Sequence, residues 1–249
     1  MMTLFMSKSS ALFRTATTAL AVGPAPRVVG TLSSLAPKRA LAGDIVEVRL
    51  DKTSLPSDWL KRCAALQSGG RPVLLTVRLR AEGGDWEADD EKRLEIYKQA
   101  LRELAAADVE LRGVISRAVA REATRLKKAS VISFHDFEKT PPLRELCAIV
   151  EQAHAIGSIA KVSTMIRHEN DAEALRSLLR RPWAKPLCVI GMGRAWSETR
   201  IEFATLGSCL TYGYLDKPAA PGQISAAELV RRLRRALAAR GAEKHVNDS

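Results

Sequence analysis

Short apolar runs recur along the chain, and each is followed by a stretch whose apolar residues return at helical spacing. The runs at residues 28–32, 44–50, 72–78, 108–111, 131–135, 159–165, 187–192 and 209–214 read as strands. Helices are predicted over 57–66, 89–106, 114–127, 143–156, 170–179 and 225–239. Ser57 and Asn170 are candidate N-caps, and Ser225 with Glu228 has the spacing of a capping box. The stretch 194–206 marks a helix only weakly. Strict alternation of strand and helix argues for a parallel sheet. At 249 residues, closure of that sheet into one barrel is the natural solution. The expected fold class is therefore α/β, a single (β/α)8 TIM barrel. Residues 1–27 are read as a flexible basic N-terminal arm and residues 28–249 as the barrel catalytic domain.

The strand-like runs end in charge. Glu47, Arg49 and Asp51 close one run, Arg78 and Glu82 follow another, His135 ends a third and Lys161 sits inside a fourth. In a parallel barrel all strand ends meet at one mouth, which is where active sites of that fold lie. Lys161, flanked by Ile159, Ala160 and Val162, points into the barrel or into the helix layer. Burial disfavours an ammonium and frees an amine to attack a ketone. The alternative is a lysine that reaches water or pairs with an acid. His135 titrates at about pH 6.5 when unperturbed and suits proton transfer, or it is a hydrogen-bonded structural histidine. His154, His168 and His245 read as surface residues.

Glu47, Arg49 and Asp51 alternate along their strand and so share one face, either to bind a polyhydroxylated ligand or to form a structural charge network. Arg78 and Glu82 bracket a turn before Gly83 and Gly84. Arg200, after the seventh strand, can grip a carboxylate at two points. The Pro/Gly-rich segment 218–223 is a candidate lid. No phosphate-binding glycine pattern occurs, and Gly191-Met192-Gly193 resembles one only faintly.

The composition, 46% hydrophobic and 27% charged, is that of a globular protein. Four cysteines without metal-ligand spacing argue against a zinc site or disulfide framework and favour a reducing, cytoplasmic setting. No apolar stretch has the length of a membrane span. Of the net charge of +11, the arm and its continuation to residue 43 supply five cations and no acid. A basic last helix carries Arg231, Arg232, Arg234, Arg235 and Arg240. Without a nucleic-acid motif these read as solvated faces, and the positive field suits an anionic small molecule. Neither nucleic acid nor membrane is an expected partner. Residues 1–27, rich in Ser, Thr, Ala and Leu and free of acids, resemble in composition a transit peptide, or a start codon set too early, and not a secretory signal.

Taken in order, these segments resemble the type I 3-dehydroquinate dehydratases over about residues 28–240. The pieces that carry the resemblance are Glu47-Val-Arg-Leu-Asp51, Thr76-Val-Arg-Leu-Arg-Ala-Glu-Gly-Gly84, Ile132-Ser-Phe-His-Asp-Phe-Glu-Lys-Thr-Pro141, Ile159-Ala-Lys-Val-Ser163, Gly207-Ser208 with Thr211-Tyr-Gly213, and Ala220-Pro-Gly-Gln223. The resemblance implies a lyase that dehydrates 3-dehydroquinate to 3-dehydroshikimate through a lysine imine, with no metal and no organic cofactor. It implies that Lys161 forms the imine, His135 moves protons and Glu82 orients His135. Arg200 would bind the substrate carboxylate, Glu47, Arg49 and Arg78 the ring hydroxyls, and Gln223 would reach down from the lid. The partner is then an anionic polyhydroxylated cyclic ketone, and a homodimer is the expected assembly.

Three positions depart from the family pattern. Before the arginine the family reads Met-Gly-x-x-Gly-x-x-Ser-Arg, whereas Trp196 and Thr199 stand here at the glycine and serine positions. Ala219 replaces the lid serine. A tryptophan copies a glycine's left-handed backbone only with strain, so a reshaped loop before Arg200 is predicted. That loop motivates a second reading, another Schiff-base barrel lyase or aldolase acting on a related hydroxy-ketone. A third is a catalytically decayed barrel or a basic binding module.

Overall fold

The computed structural model describes residues 9–23, 25–37, 41–87, 89–218 and 222–247, with side chains through residue 240. Two short strands, β1 (Ala11–Arg14) and β2 (Ala19–Val22), come first. Eight parallel strands follow: β3 (Arg27–Leu32), β4 (Ile45–Arg49), β5 (Val73–Thr76), β6 (Ala106–Glu110), β7 (Ala129–Asp136), β8 (Ile159–Met165), β9 (Leu187–Met192) and β10 (Leu210–Tyr214). Between and after them run α1 (Trp59–Ser68), α2 (Asp90–Glu103), α3 (Ser116–Arg125), α4 (Leu143–Ile156), α5 (Glu169–Arg180), α6 (Thr199–Leu206) and α7 (Ala226–Asn247). The ladder is continuous from β10 through β3 to β9. At the seam between β9 and β10 the Cys209 N–H donates to the Leu187 carbonyl at 2.9 Å, and the Val189 N–H donates to Ser208 Oγ at 2.9 Å. The result is a nearly closed (β/α)8 barrel, as the alternation predicted.

The strands are buried on both faces, which is why they read as continuous apolar runs. The helices cover them with one stripe each. α4 buries Leu146, Cys147, Ile149, Val150 and Ala153 against β7 and β8, a helical spacing that leaves the opposite face to solvent. Each large apolar side chain so buried contributes about 1.5–3 kcal/mol. Cap positions differ from the sequence reading at two helices. Asp58 rather than Ser57 precedes α1, and α5 starts one residue earlier than expected, after His168. There the Asp171 carboxylate accepts the backbone N–H groups of Arg167 and His168, leaving Asn170 inside the first turn. At α7 the expected cap forms, with the Glu228 N–H donating to Ser225 Oγ.

The arm requires a correction. Over residues 11–22 it folds into an antiparallel hairpin instead of trailing free. Phe13 and Val22 are fully buried among Ile45, Leu74, Ala106, Ala129 and Ile159, residues at the starts of their strands. The hairpin thus closes the amino end of the barrel, opposite the mouth. Lys128 ties it down by donating to the Arg14 carbonyl at 3.0 Å. The periodicity of so short a hairpin is weak, and its apolar residues found their partners only across the barrel floor.

Candidate active site

At the carboxyl ends of the strands lies a cavity of about 90 Å³. All eight residues singled out in the sequence line it: Glu47, Arg49, Arg78, Glu82, His135, Lys161, Arg200 and Gln223. Thr31, Gly83, Phe137, Ser163, Ile190, Met192 and Tyr212 complete the wall. Asp51, on the same strand face by period, lies outside it, because the chain leaves β4 in a tight 3-10 turn over Leu50–Lys52.

Lys161 points into the barrel from the middle of β8 and is 5% exposed. Its surroundings are not simply apolar. Nζ donates to Asp108 Oδ2 at 2.9 Å and lies 4.3 Å from the centre of the Tyr212 ring. The other Asp108 oxygen accepts from Arg78 Nη2 at 2.7 Å and from Ser133 Oγ at 2.6 Å. Burial would raise the Asp108 pKa, but the cations of Arg78 and Lys161 beside it hold the carboxyl well below its usual range. Asp108 was legible in the sequence. It begins the run Asp108-Val-Glu110, two acids on one face of a strand, the same pattern that drew attention to Glu47 and Arg49.

His135 sits two residues from the row that pairs Ser133 with Lys161, at the mouth end of β7. Its Nδ1 is 2.9 Å from Glu82 Oε2, and the same oxygen accepts its backbone N–H at 3.2 Å. Glu82 therefore fixes the ring, and Nε2 is the nitrogen left for a ligand. Burial, then the charges of Arg78 and Lys161, push the imidazole well below 6.5, so it is neutral at neutral pH and able to accept a proton. Burial raises Glu82, against the opposing pull of Arg78 and Arg112. Two glycines bring Glu82 to this place. Gly83 adopts φ +77°, and a Cβ on Gly84 would lie 1.9 Å from the Arg78 carbonyl oxygen.

The remaining polar groups divide into those already engaged and those left open. Glu47 accepts from Thr31 and Thr76 hydroxyls, each at 2.8 Å. Arg49 makes a two-point contact with Asp51 at 2.7 and 2.9 Å. Arg200 is different. It is 6% exposed, donates from Nη1 to the Tyr212 carbonyl, and has no partner for Nε among the described residues. Burial lowers its pKa to about 10, which still leaves a full positive charge at neutral pH. The Tyr212 hydroxyl is likewise buried without a partner among the described residues. A buried guanidinium with no carboxylate beside it is costly unless a ligand supplies one.

The loop before Arg200 takes up Trp196 without placing it in the left-handed region. Gly193 takes the left-handed turn at φ +122°, and Arg194–Trp196 then forms a 3-10 turn with Trp196 outside the left-handed region. Thr199 Oγ1 donates to the Trp196 carbonyl at 2.6 Å and so holds the turn. Arg200 still reaches the cavity. Ala219 lies outside the described residues. His154, read as a surface residue, is half-buried, with Nε2 3.0 Å from the Pro186 carbonyl oxygen. Burial lowers its pKa. His168 is exposed, and the side chain of His245 lies outside the described residues.

No group of acidic, histidine or cysteine side chains able to hold a metal ion occurs among the described residues. All four cysteines are buried, and none forms a disulfide. No helix is long and apolar enough to cross a membrane, among the described residues.

An ammonium, an imidazole held by a carboxylate and a guanidinium with no carboxylate beside it are turned into one small cavity at the strand ends, where enzymes built on this barrel carry their active sites. Comparison with known proteins narrows the class. A profile of the type I 3-dehydroquinase family matches residues 25–239. A 3-dehydroquinate dehydratase of Methanocella arvoryzae is 31% identical over 212 residues, 84% of this chain and 96% of that protein. One of Methanocaldococcus jannaschii is 37% identical over 186 residues, 73% of this chain and 82% of that protein. The crystal structure of 3-dehydroquinate dehydratase from Geobacillus kaustophilus superposes with a TM-score of 0.80 at 25% identity, covering 92% of this chain and 97% of that one. The chain belongs to the type I 3-dehydroquinase family, and it is a hydro-lyase.

Proposed function

We propose that this chain removes water from 3-dehydroquinate to give 3-dehydroshikimate, a step of the shikimate pathway, through an imine on Lys161. The observation that carries the reading is the buried amine of Lys161, which shares one cavity with a neutral His135 held by Glu82. Lys161 Nζ adds to the substrate ketone, and the ketone oxygen leaves as water. The protonated imine withdraws electrons and acidifies the adjacent carbon. His135 Nε2 takes that proton and returns it to the departing hydroxyl, so a second water is eliminated as the ring double bond forms. A water molecule then hydrolyses the imine, restoring the amine and releasing the product. The balance is one substrate to one product and one water.

The cavity's cations suit the substrate. Arg200, with Nε unengaged, is the carboxylate partner, and the pairing would compensate its buried charge. Glu47 and Arg49 offer their remaining capacity to ring hydroxyls, and Gln223 approaches from the segment after β10. Arg78 spends both terminal nitrogens on Asp108, Ser133 and Glu110, so its contribution is first to order the lysine's surroundings.

The test is intact-protein mass after incubation with 3-dehydroquinate and borohydride, followed by peptide mapping and an absorbance assay of the product. A reduced adduct on Lys161, with turnover lost in Lys161→Ala, supports the reading. Substantial turnover in Lys161→Ala would sink it. An adduct formed only with other hydroxy-ketones would favour a related Schiff-base lyase or aldolase.

A further inference from the structure

Behind the cavity, a line of buried charges runs from the helix layer to the reacting amine. Arg93, on α2, is fully buried and pairs through Nη2 with Glu110 Oε2 on β6. Its Nε donates to the Val77 carbonyl at 2.9 Å. Glu110 Oε1 lies 3.1 Å from Arg78 Nη1 and accepts the Leu79 N–H at 2.9 Å. Arg78 Nη2 then meets Asp108 at 2.7 Å, and Asp108 meets Lys161 at 2.9 Å. The signs alternate from Arg93 to Lys161, and none of the five side chains is more than 5% exposed.

So long a buried chain is an expensive way to hold a barrel together, since apolar packing would serve as well. Its geometry points elsewhere. Arg78 is held at both ends of its fork, Nη1 by Glu110 at 3.1 Å and the Ser133 hydroxyl at 2.7 Å, Nη2 by Asp108 at 2.7 Å. Without Glu110, Nη1 keeps only the neutral Ser133 hydroxyl, itself bonded to Asp108, and the guanidinium can turn further onto Asp108 and draw that carboxylate from the lysine. We propose that Glu110 is a positioning residue for the reaction at Lys161, clamping Arg78 so that Asp108 keeps one oxygen on the amine. The proposal rests on the reading of Lys161 as the reacting group.

Electrostatics gives the sign of its effect. Lys161 is faced by Asp108 from β6, Arg78 from the turn after β5, His135 from β7, Cys188 from β9 and Tyr212 from β10, with Glu47 on β4 across the cavity. Replacing Glu110 by glutamine removes one negative charge behind this set and frees Arg78 to shield Asp108. Both changes disfavour the ammonium and so favour the free amine.

The experiment is reductive methylation of Lys161 by formaldehyde and cyanoborohydride across neutral to alkaline pH, read by peptide mass, with thermal unfolding recorded alongside. In Glu110→Gln the pH of half-modification should fall by about one, roughly tenfold more free amine at a given pH. Glu110→Asp, which keeps the charge, should stay near the parent profile. The double variant Arg93→Met/Glu110→Gln removes the pair together and guards against loss of folding. Its profile should fall in the same direction by less, since the lost cation lies farther from Lys161 than the lost anion. Rates of borohydride capture with 3-dehydroquinate should drop in both glutamine variants, by up to about a hundredfold for a misplaced amine. A folded Glu110→Gln or double variant with an unmoved methylation profile would overturn the proposal, even if its capture rate fell. Methylation that shifts as expected, in a protein that forms no 3-dehydroquinate adduct, would uphold the clamp and refute the assigned substrate.

Discussion

Asp108 Oδ2 and Lys161 Nζ face each other at 2.9 Å in the barrel interior, one from β6 and one from β8. Because Arg78 and Ser133 occupy the other carboxylate oxygen, the lysine has an oxygen of its own. This pair fixes the lysine side chain within the cavity. It also makes folding depend on the charge of Asp108. Asp108→Asn leaves Arg78 and Lys161 buried without their counter-ion and should cost about 3–5 kcal/mol, measured by urea unfolding at neutral pH. The folded-state pKa of Asp108 lies below its unfolded value of about 3.9. Its contribution is therefore present above about pH 4 and lost as pH falls below it. In Asp108→Asn the acid side of the stability curve should flatten in that range. Equal slopes in the two proteins would contradict the assignment.

His135 gives a second pH signature, in a different window. It is buried neutral, with a folded pKa well below 6.5, while the unfolded chain binds a proton near 6.5. Stability should fall as pH drops below about 6.5 toward the folded pKa, because only the unfolded state gains the proton there. His135→Gln should remove that slope, seen in denaturant midpoints taken between neutral and mildly acidic pH.

In the proposed mechanism the same residue separates proton transfer from imine formation. His135→Ala should lower kcat by roughly a hundred- to ten-thousandfold, the range of a lost general base. Borohydride should still trap substrate on Lys161, and the trapped fraction should rise because the next step stalls. Loss of trapping together with turnover, in folded protein, would place His135 in imine formation instead.

Arg200 predicts a split between stability and binding. Its guanidinium is buried without a carboxylate, so the free enzyme bears a desolvated charge that the substrate would compensate. Arg200→Met should leave Tm unchanged or higher while raising KM at least about tenfold, from loss of a charged two-point contact. A fall in Tm with unchanged KM would make Arg200 structural. Ligand-induced stabilisation of the parent protein, absent in the variant, is the independent check.

The hairpin at the barrel floor should be energetically significant. Phe13→Ala empties a fully buried site and should cost about 3–5 kcal/mol in denaturant unfolding, with little change in KM because the cavity is at the other end.

The alternation of apolar runs determined eight strands, most of the helices and the barrel, because both periods are set by local backbone geometry and survive in any tertiary context. The charged strand ends marked Glu47, Arg49, Arg78, Glu82, His135 and Lys161, since a charge in a buried strand needs a reason that the sequence already displays, while Arg200 and Gln223 were read from the segments after the last two strands. What the sequence left open were relations between distant positions. Whether Lys161 faced the lumen or the helices, and that Asp108 on another strand met it, depended on register around the closed sheet. Arg93, unmarked on its helix, became part of a buried charge line only once α2 packed on β6. The first residues looked like a free arm because their few apolar side chains have no local period. Their place was decided by the open floor of the barrel, whose exposed strand starts leave apolar surface that Phe13 and Val22 cover.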